Sequence, residues 1–182
     1  IGIDAAPNEG PFAEGIRDVV RWHKEEPDWR ATRKKIHERY YRYEKNGYKA
    51  PVDVSSSLIN GLCGVLAILY GEGDFVKTIG IATAAGYDCD NQAATCGGLI
   101  GVIVGAKGIP DRLTTEVSFD MKWSKPFNNR YVNTSRDGIP VATPISEIVA
   151  RIRAIAYNAI LENGGRKELR DAEPVYVVQS DL

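Results

Sequence analysis

The chain has 182 residues, enough at roughly 150 per domain for one domain with an appendage, and 43% hydrophobic against 26% charged residues is the balance of a chain that buries a core. With 23 Lys and Arg against 24 Asp and Glu, the formal charge of −1 supplies neither a field for nucleic acid nor a charged tail. Three cysteines (Cys63, Cys89, Cys96) form no Cys-x-x-Cys pair and there are two histidines (His23, His37), so a disulfide framework, a zinc site or a histidine base is not expected, and a reducing cytoplasm fits best.

In chain order, Pro11 precedes an amphipathic helix over Phe12 to Lys24, with Phe12, Ile16, Val19 and Val20 on its apolar side. Asp28 caps a second helix with an inward stripe of Trp29, Ile36, Tyr40 and Tyr43, for which Asn46-Gly47 supplies the stop. Its basic cluster Arg30, Arg33, Lys34, Lys35 and Arg39 is interrupted by Glu38 and reads as a solvated face. Ser55 to Tyr70 is a third helix, apolar nearly all round. Gly71-Glu72-Gly73 breaks it, Asp74 caps a fourth with Phe75, Val76, Ile79 and Ala82 toward the core, and Gly86 ends that one. A fifth helix runs from about Asp90 to Ala106, with Gly97, Gly101 and Gly105 forming a smooth ridge for a close neighbour. The uncharged stretches Val54 to Gly71 and Asn91 to Ala106 read as buried core helices, because the second is short for a bilayer and the first carries Ser55, Ser56, Ser57 and Asn60.

Eleven of the 18 glycines lie between Gly61 and Gly108, which marks residues 1–110 as the helical core. Residues 111–142 carry Pro126, Asn128-Asn129, Asp137-Gly138 and Pro140 and read as an irregular connecting segment. Residues 143–182 hold a last helix with the stripe Ile145, Ile148, Val149, Ile152, Ile155, Ala156 and Ile160, then a tail with one extended candidate, Val175 to Val178, in the same domain. The start at Ile1, without a signal-peptide pattern, suggests a piece of a longer chain.

The one dense chemical signal is Gly86-Tyr87-Asp88-Cys89-Asp90-Asn91, between two apolar helices. Asp88 and Asp90, two apart in a loop before a helix, can turn their carboxylates to one side, and Asn91 adds a neutral oxygen. Such a donor set suits Mg²⁺ or Mn²⁺ better than zinc. The plainer alternative makes Asp90 an N-cap and Asp88 a turn residue. An EF-hand from Asp88 would need Gly where Ala93 stands and Glu where Leu99 stands, and Gly101, Gly105 and Lys107 lack P-loop spacing.

Together, Tyr70-Gly71-Glu72-Gly73-Asp74-Phe75, the run from Gly86 to Gly101, Gly105 and Ile109-Pro110 resemble the C-terminal half of the ADP-ribosylglycohydrolase family, to which dinitrogenase reductase-activating glycohydrolase belongs. The resemblance covers about Phe12 to Leu113. It implies an all-α, compact orthogonal multi-helix fold around two Mg²⁺ or Mn²⁺ ions, in enzymes that hydrolyse the N- or O-glycosidic bond of ADP-ribosyl groups. It also implies Asp88, Asp90 and Asn91 as metal ligands, with Asn91 where the family's Asp-x-Asp-Thr has Thr and Tyr87 where Gly is frequent. The family's Thr-Asp-Asp run and its essential acidic residue belong to an N-terminal half, and this chain has no Asp-Asp dipeptide. The expected partner is therefore an ADP-ribosylated substrate or an ADP-ribose-like small molecule, together with the missing half, with neither nucleic acid nor membrane involved. By itself the chain is expected to be inactive. The alternatives are a non-catalytic binding or structural relative and a hydrolase of another glycosidic substrate.

Overall fold

The computed structural model describes residues 10–115, 129–132, 138, 140 and 142–179. The packing divides into two compact units, Ile1–Pro110 and Asp111–Leu182. The division falls where Ile109-Pro110 closes the glycine-rich stretch.

In the first unit, α1 (Pro11–Glu25) and α2 (Trp29–Tyr40) precede a short hairpin, β1 (Glu44–Lys45) with β2 (Tyr48–Lys49), and α3 (Ser57–Gly71), α4 (Phe75–Ala84) and α5 (Cys89–Val104) follow. The chain is mostly helical, as the resemblance implies. The apolar sequence of α3 makes it the centre: it packs against α1, α2, α4 and α5, and Leu58, Ile59, Leu62, Cys63, Leu66 and Ala67 are all buried. Around it lie Val19 and Trp22 of α1, Ile36 and Tyr40 of α2, Ile81 and Ala82 of α4, and Cys96 of α5.

Local chemistry sets most boundaries. Asp28 accepts from the Arg30 amide at 3.0 Å and Asp74 from the Lys77 amide at 2.6 Å, so both cap the helices that the sequence assigns to them. Glu72, at φ 53°, ends α3 in the left-handed region. Asn46-Gly47 does not stop α2. That helix ends at Tyr40, and the pair, at φ 52° and 80°, forms the turn of the β1–β2 hairpin, leaving Tyr43 buried outside any helix.

Two expectations for α5 need correction. It is not buried all round: Gln92, Cys96 and Ile100 face inward, but Leu99, Val102 and Ile103 are 56%, 85% and 71% exposed, because among the described residues it is α3 and α4 that pack on it. Nor do its glycines form a close-packed ridge. A Cβ on Gly97 would meet Ile79 at 3.4 Å and one on Gly101 would meet Phe75 at 4.0 Å, both ordinary contacts, while Gly105, at φ 67°, lies beyond the last turn as its C-cap. Replacing Gly97 or Gly101 with Ala should therefore raise stability by about 0.5–1 kcal/mol, the helix-propensity difference, read as a higher urea midpoint at unchanged slope. Loss of stability would mean that α4 lies closer than these distances.

In the second unit the turn signals at Pro126, Asn128 and Asp137 lie outside the described residues. The described part has α6 (Asp111–Thr115), β3 (Arg130–Val132) paired antiparallel with β4 (Ala142–Pro144), α7 (Ile145–Glu162), and a hairpin of β5 (Arg166–Arg170) and β6 (Glu173–Val177). Asn129 supplies the cap that Pro144 lacks: its Oδ1 accepts from the Ser146 amide at 2.9 Å and its carbonyl from the Ile145 amide at 2.9 Å. Among the described residues the apolar stripe of α7 is largely uncovered, with Val149, Ile152 and Ile155 exposed, and the helix meets the hairpin through Tyr157 stacked on Tyr176 at 3.8 Å. The extended tail is β6, and its partner β5 is a strand the sequence pattern did not reveal. Among the described residues, no helix is long and apolar enough to cross a membrane.

Candidate functional site

The acidic loop is fixed at successive residues. The Arg33 Nε of α2 donates to the Ala85 carbonyl at 3.0 Å, and Gly86 and Tyr87 then take the left-handed region at φ 82° and 61°. For tyrosine that conformation costs on the order of 1 kcal/mol, and it explains on steric grounds why glycine suits this position. The Tyr87 hydroxyl shares a 2.5 Å hydrogen bond with Nδ1 of His37, and the Arg33 guanidinium lies 4.8 Å from the Tyr87 ring centre. One residue on, the Asp88 amide donates to Oδ1 of Asn60 in α3 at 3.1 Å, while the Asn60 amide group donates to the carbonyls of Val54 and Ser56.

Helix α5 begins at Cys89, so the N-cap position belongs to Asp88, two residues earlier than a cap at Asp90 would have it. Asp88 does not use its side chain as a cap, in contrast to Asp28 and Asp74, whose carboxylates both accept amide hydrogens of the first turn. Its carboxyl lies beside that of Asp90 in the first turn of α5. Partial loss of water and then the adjoining Asp90 carboxyl hold Asp88 above the usual carboxylate range. The structure thus brings Asp88 and Asp90 together, with Asp88 half-buried and Asp90 and Asn91 exposed in the same first turn.

Two like-charged oxygen donors brought together at a helix N-terminus match the chemistry of one hard divalent cation completed by water. They do not match a two-ion site. Among the described residues, no group of three or more His, Cys, Asp or Glu side chains is placed to hold a metal. Cys63 and Cys96 are buried core thiols, and burial pushes Cys63 up to about 12, far from a reactive thiolate.

Three residues near the loop were not singled out by the sequence as part of a site. Asn60 stands out there only as a polar residue in an apolar helix. Gln92 is buried, and its Oε1 would meet a Cβ on Gly64 at 2.7 Å, so that glycine makes room for it. His37 stands among the charged residues of α2, yet its ring closes on Tyr87.

A cavity of about 830 Å³ lies elsewhere, lined by residues that include Glu14, Asp18, Arg21, Arg39, Tyr43 and Lys45 but neither Asp88 nor Asp90. Its charges are engaged with one another: Arg39 and Lys45 each reach Glu14 at 2.8 Å, and Arg21 and Arg39 reach Asp18 at 2.5 and 3.0 Å. Internal pairing of this kind holds α1, α2 and the β1–β2 hairpin together and does not by itself mark a reaction centre.

The sequence model of the ADP-ribosylglycohydrolase family matches residues 2–138. No curated protein and no solved structure matches the chain. The matched region is more than half of the sequence and contains the whole of the first unit's helical core with Asp88, Asp90 and Asn91, and on that footing the chain belongs to the ADP-ribosylglycohydrolase family of hydrolases.

Proposed function

We propose that the chain carries the Asp-x-Asp part of the cation site of a hydrolase that cleaves the N- or O-glycosidic bond of ADP-ribosyl groups. The observation that carries this reading is an N-cap aspartate that does not cap: Asp88 leaves the helix amides and lies against Asp90 instead. A structural cap would lower the energy of α5, whereas two facing carboxylates raise it unless a shared proton or a cation joins them. Asp88 and Asp90 would hold Mg²⁺ or Mn²⁺, with the Asn91 amide oxygen in reach of the same first turn. When bound, such an ion polarises oxygen ligands and orients water for attack on a glycosidic carbon. Asn60 fixes the Asp88 backbone for that task, and the helix N-terminus of α5 favours the negative charge of the pair.

Two carboxylates alone imply weak binding, with a dissociation constant of roughly 10⁻⁴–10⁻³ M, the weak end for hard-cation sites with few charged ligands. The test is calorimetric Mn²⁺ titration of the 182-residue chain and its Asp90→Ala variant, with free ADP-ribose release from a modified protein followed in parallel. Weak binding that disappears in Asp90→Ala, without turnover, is the expected result. Absence of Mn²⁺ binding, or equal binding by the variant, would overturn the reading. Turnover abolished by Asp90→Ala would show that the residues of this chain suffice for catalysis. One observation favours a non-catalytic relative as the second reading, namely the lack of a third acidic, His or Cys ligand among the described residues. Retained binding of ADP-ribose without dependence on Mn²⁺ would select it.

A further inference from the structure

We infer that Arg33, His37 and Tyr41 of the second helix and its last turn form a clamp that closes on Tyr87 and so holds the Asp88 and Asp90 carboxyls together, which makes these four residues positioning residues for the proposed cation site. Spaced by four, Arg33, His37 and Tyr41 stand on one side of α2 and its C-cap. His37 stacks on Tyr41 with ring centres 4.7 Å apart and on Tyr87 at 6.2 Å and 18°, while Tyr41 and Tyr87 lie 5.9 Å apart. Arg33 completes the clamp from the other end, over the Tyr87 ring and onto the Ala85 carbonyl.

The clamp matters because of the backbone it holds. Tyr87 sits at φ 61°, a conformation that a non-glycine residue leaves when nothing compels it to stay. Rotation there would swing every following atom, Asp88 first. It would also pull the Asp88 amide off Asn60 Oδ1, where it is held at 3.1 Å from the α3 side. The loop is thus fastened to α2 through Ala85 and Tyr87 and to α3 through Asp88, and the left-handed turn between those fastenings directs the carboxyl toward Asp90. The inference rests on the proposed cation site for its purpose, but the fastening can be read without metal.

The experiment uses Tyr87→Phe, His37→Gln, their double variant and Arg33→Met, with two readouts: hydrogen exchange of the Asp88 amide in metal-free protein, and Mn²⁺ affinity by calorimetry. Each single change should speed Asp88 exchange and weaken Mn²⁺ binding roughly three- to tenfold, the range of one modest hydrogen bond or cation–π contact, while the amides of Leu62 and Leu66 in α3 stay as slow as in the wild type. The double variant should match His37→Gln, since that change already removes the hydrogen bond lost in Tyr87→Phe together with the ring contacts of His37. Arg33→Met separates positioning from simple charge: removal of a positive charge near the site would by itself favour a cation, so weaker binding is opposite in sign to a field effect. Unchanged exchange at Asp88 overturns the clamp. Faster exchange with unchanged Mn²⁺ affinity overturns its positioning role. If the wild type binds no Mn²⁺ while the variants still loosen Asp88, the proposed function falls and the fastening of the loop stands.

Discussion

Gly71→Ala is expected to lower stability by about 3 kcal/mol, which for a unit of this size is a fall in Tm on the order of 10 °C. Gly71 is the last residue of α3, buried against the start of α4. A Cβ there would overlap Oγ1 of Thr78 and would stand 2.8 Å from its Cβ and 3.0 Å from its Cα. No side-chain rotation relieves contact with a Cα. Thr78 is fully buried, and its hydroxyl donates to the Asp74 carbonyl at 2.7 Å, so α4 would have to move as a body away from its contacts at Ile81 and Ala82. Gly61→Ala is the control. Its Cβ would meet the ring of Phe12, a side chain 44% exposed and able to swing out, so the cost should stay below about 1 kcal/mol. Thermal unfolding of the two variants gives the comparison, and similar midpoints for both would show that α3 and α4 are not in close approach at Gly71.

That contrast also shows where sequence reasoning worked. Gly71, in the run Gly71-Glu72-Gly73, was legible as a helix end because the signal is local, and the Asp28 and Asp74 caps were legible for the same reason: each carboxylate bonds an amide two or three residues away. The glycine ridge of α5 failed because spacing says where a smooth face lies and not which neighbour reaches it. Asn46-Gly47 serves helix ends and two-residue hairpins alike, and only the pairing of Glu44 with Lys49 decides between them. The β5–β6 hairpin turns at Asp171 and Ala172, both in the left-handed region without a glycine to announce it.

Asp88, Asp90 and Asn91 stand out as candidate ligands by residue type and spacing alone, and the structure places Asp88 beside Asp90 in the turn that opens α5. What Asp88 does with its side chain was not legible, because an aspartate before a helix reads as a cap whether or not it caps. Arg33 and His37 lie about fifty residues from the loop they hold. Their four-residue spacing together with Tyr41 was visible, but on a helix rich in lysine and arginine it reads as a solvated face until Tyr87 is seen against it.

The second large effect is expected at the charged cluster of α1. Asp18→Ala should cost about 2–3 kcal/mol at neutral pH, somewhat under the usual cost of breaking a buried ion pair because Arg21 and Arg39 are half-exposed and can rehydrate. The Asp18 side chain is only 6% exposed and accepts the hydroxyl of fully buried Tyr40 at 2.6 Å, which would be left without that acceptor. Glu14 in the same cluster supplies the pH dependence. Lys45 first and Arg39 next, with the Tyr43 hydroxyl adding a 2.9 Å bond, lower its carboxyl to about 2, against partial desolvation that works the other way. The folded value lies below the unfolded value of 4.5, so this contribution is fully present above that pH and is lost as the pH falls toward 2. Linkage over such a shift corresponds to about 3 kcal/mol, and because the Glu14 side chain is 25% exposed, solvent screening reduces the expected effect to about 1–2 kcal/mol. Unfolding of the wild type and Glu14→Gln followed from pH 7 to pH 2 should show a stability gap that holds down to about pH 5 and then closes. A gap that stays constant to pH 2 would mean that the carboxylate charge is not what stabilises the cluster, and a gap that widens on acidification would contradict the sign of the linkage.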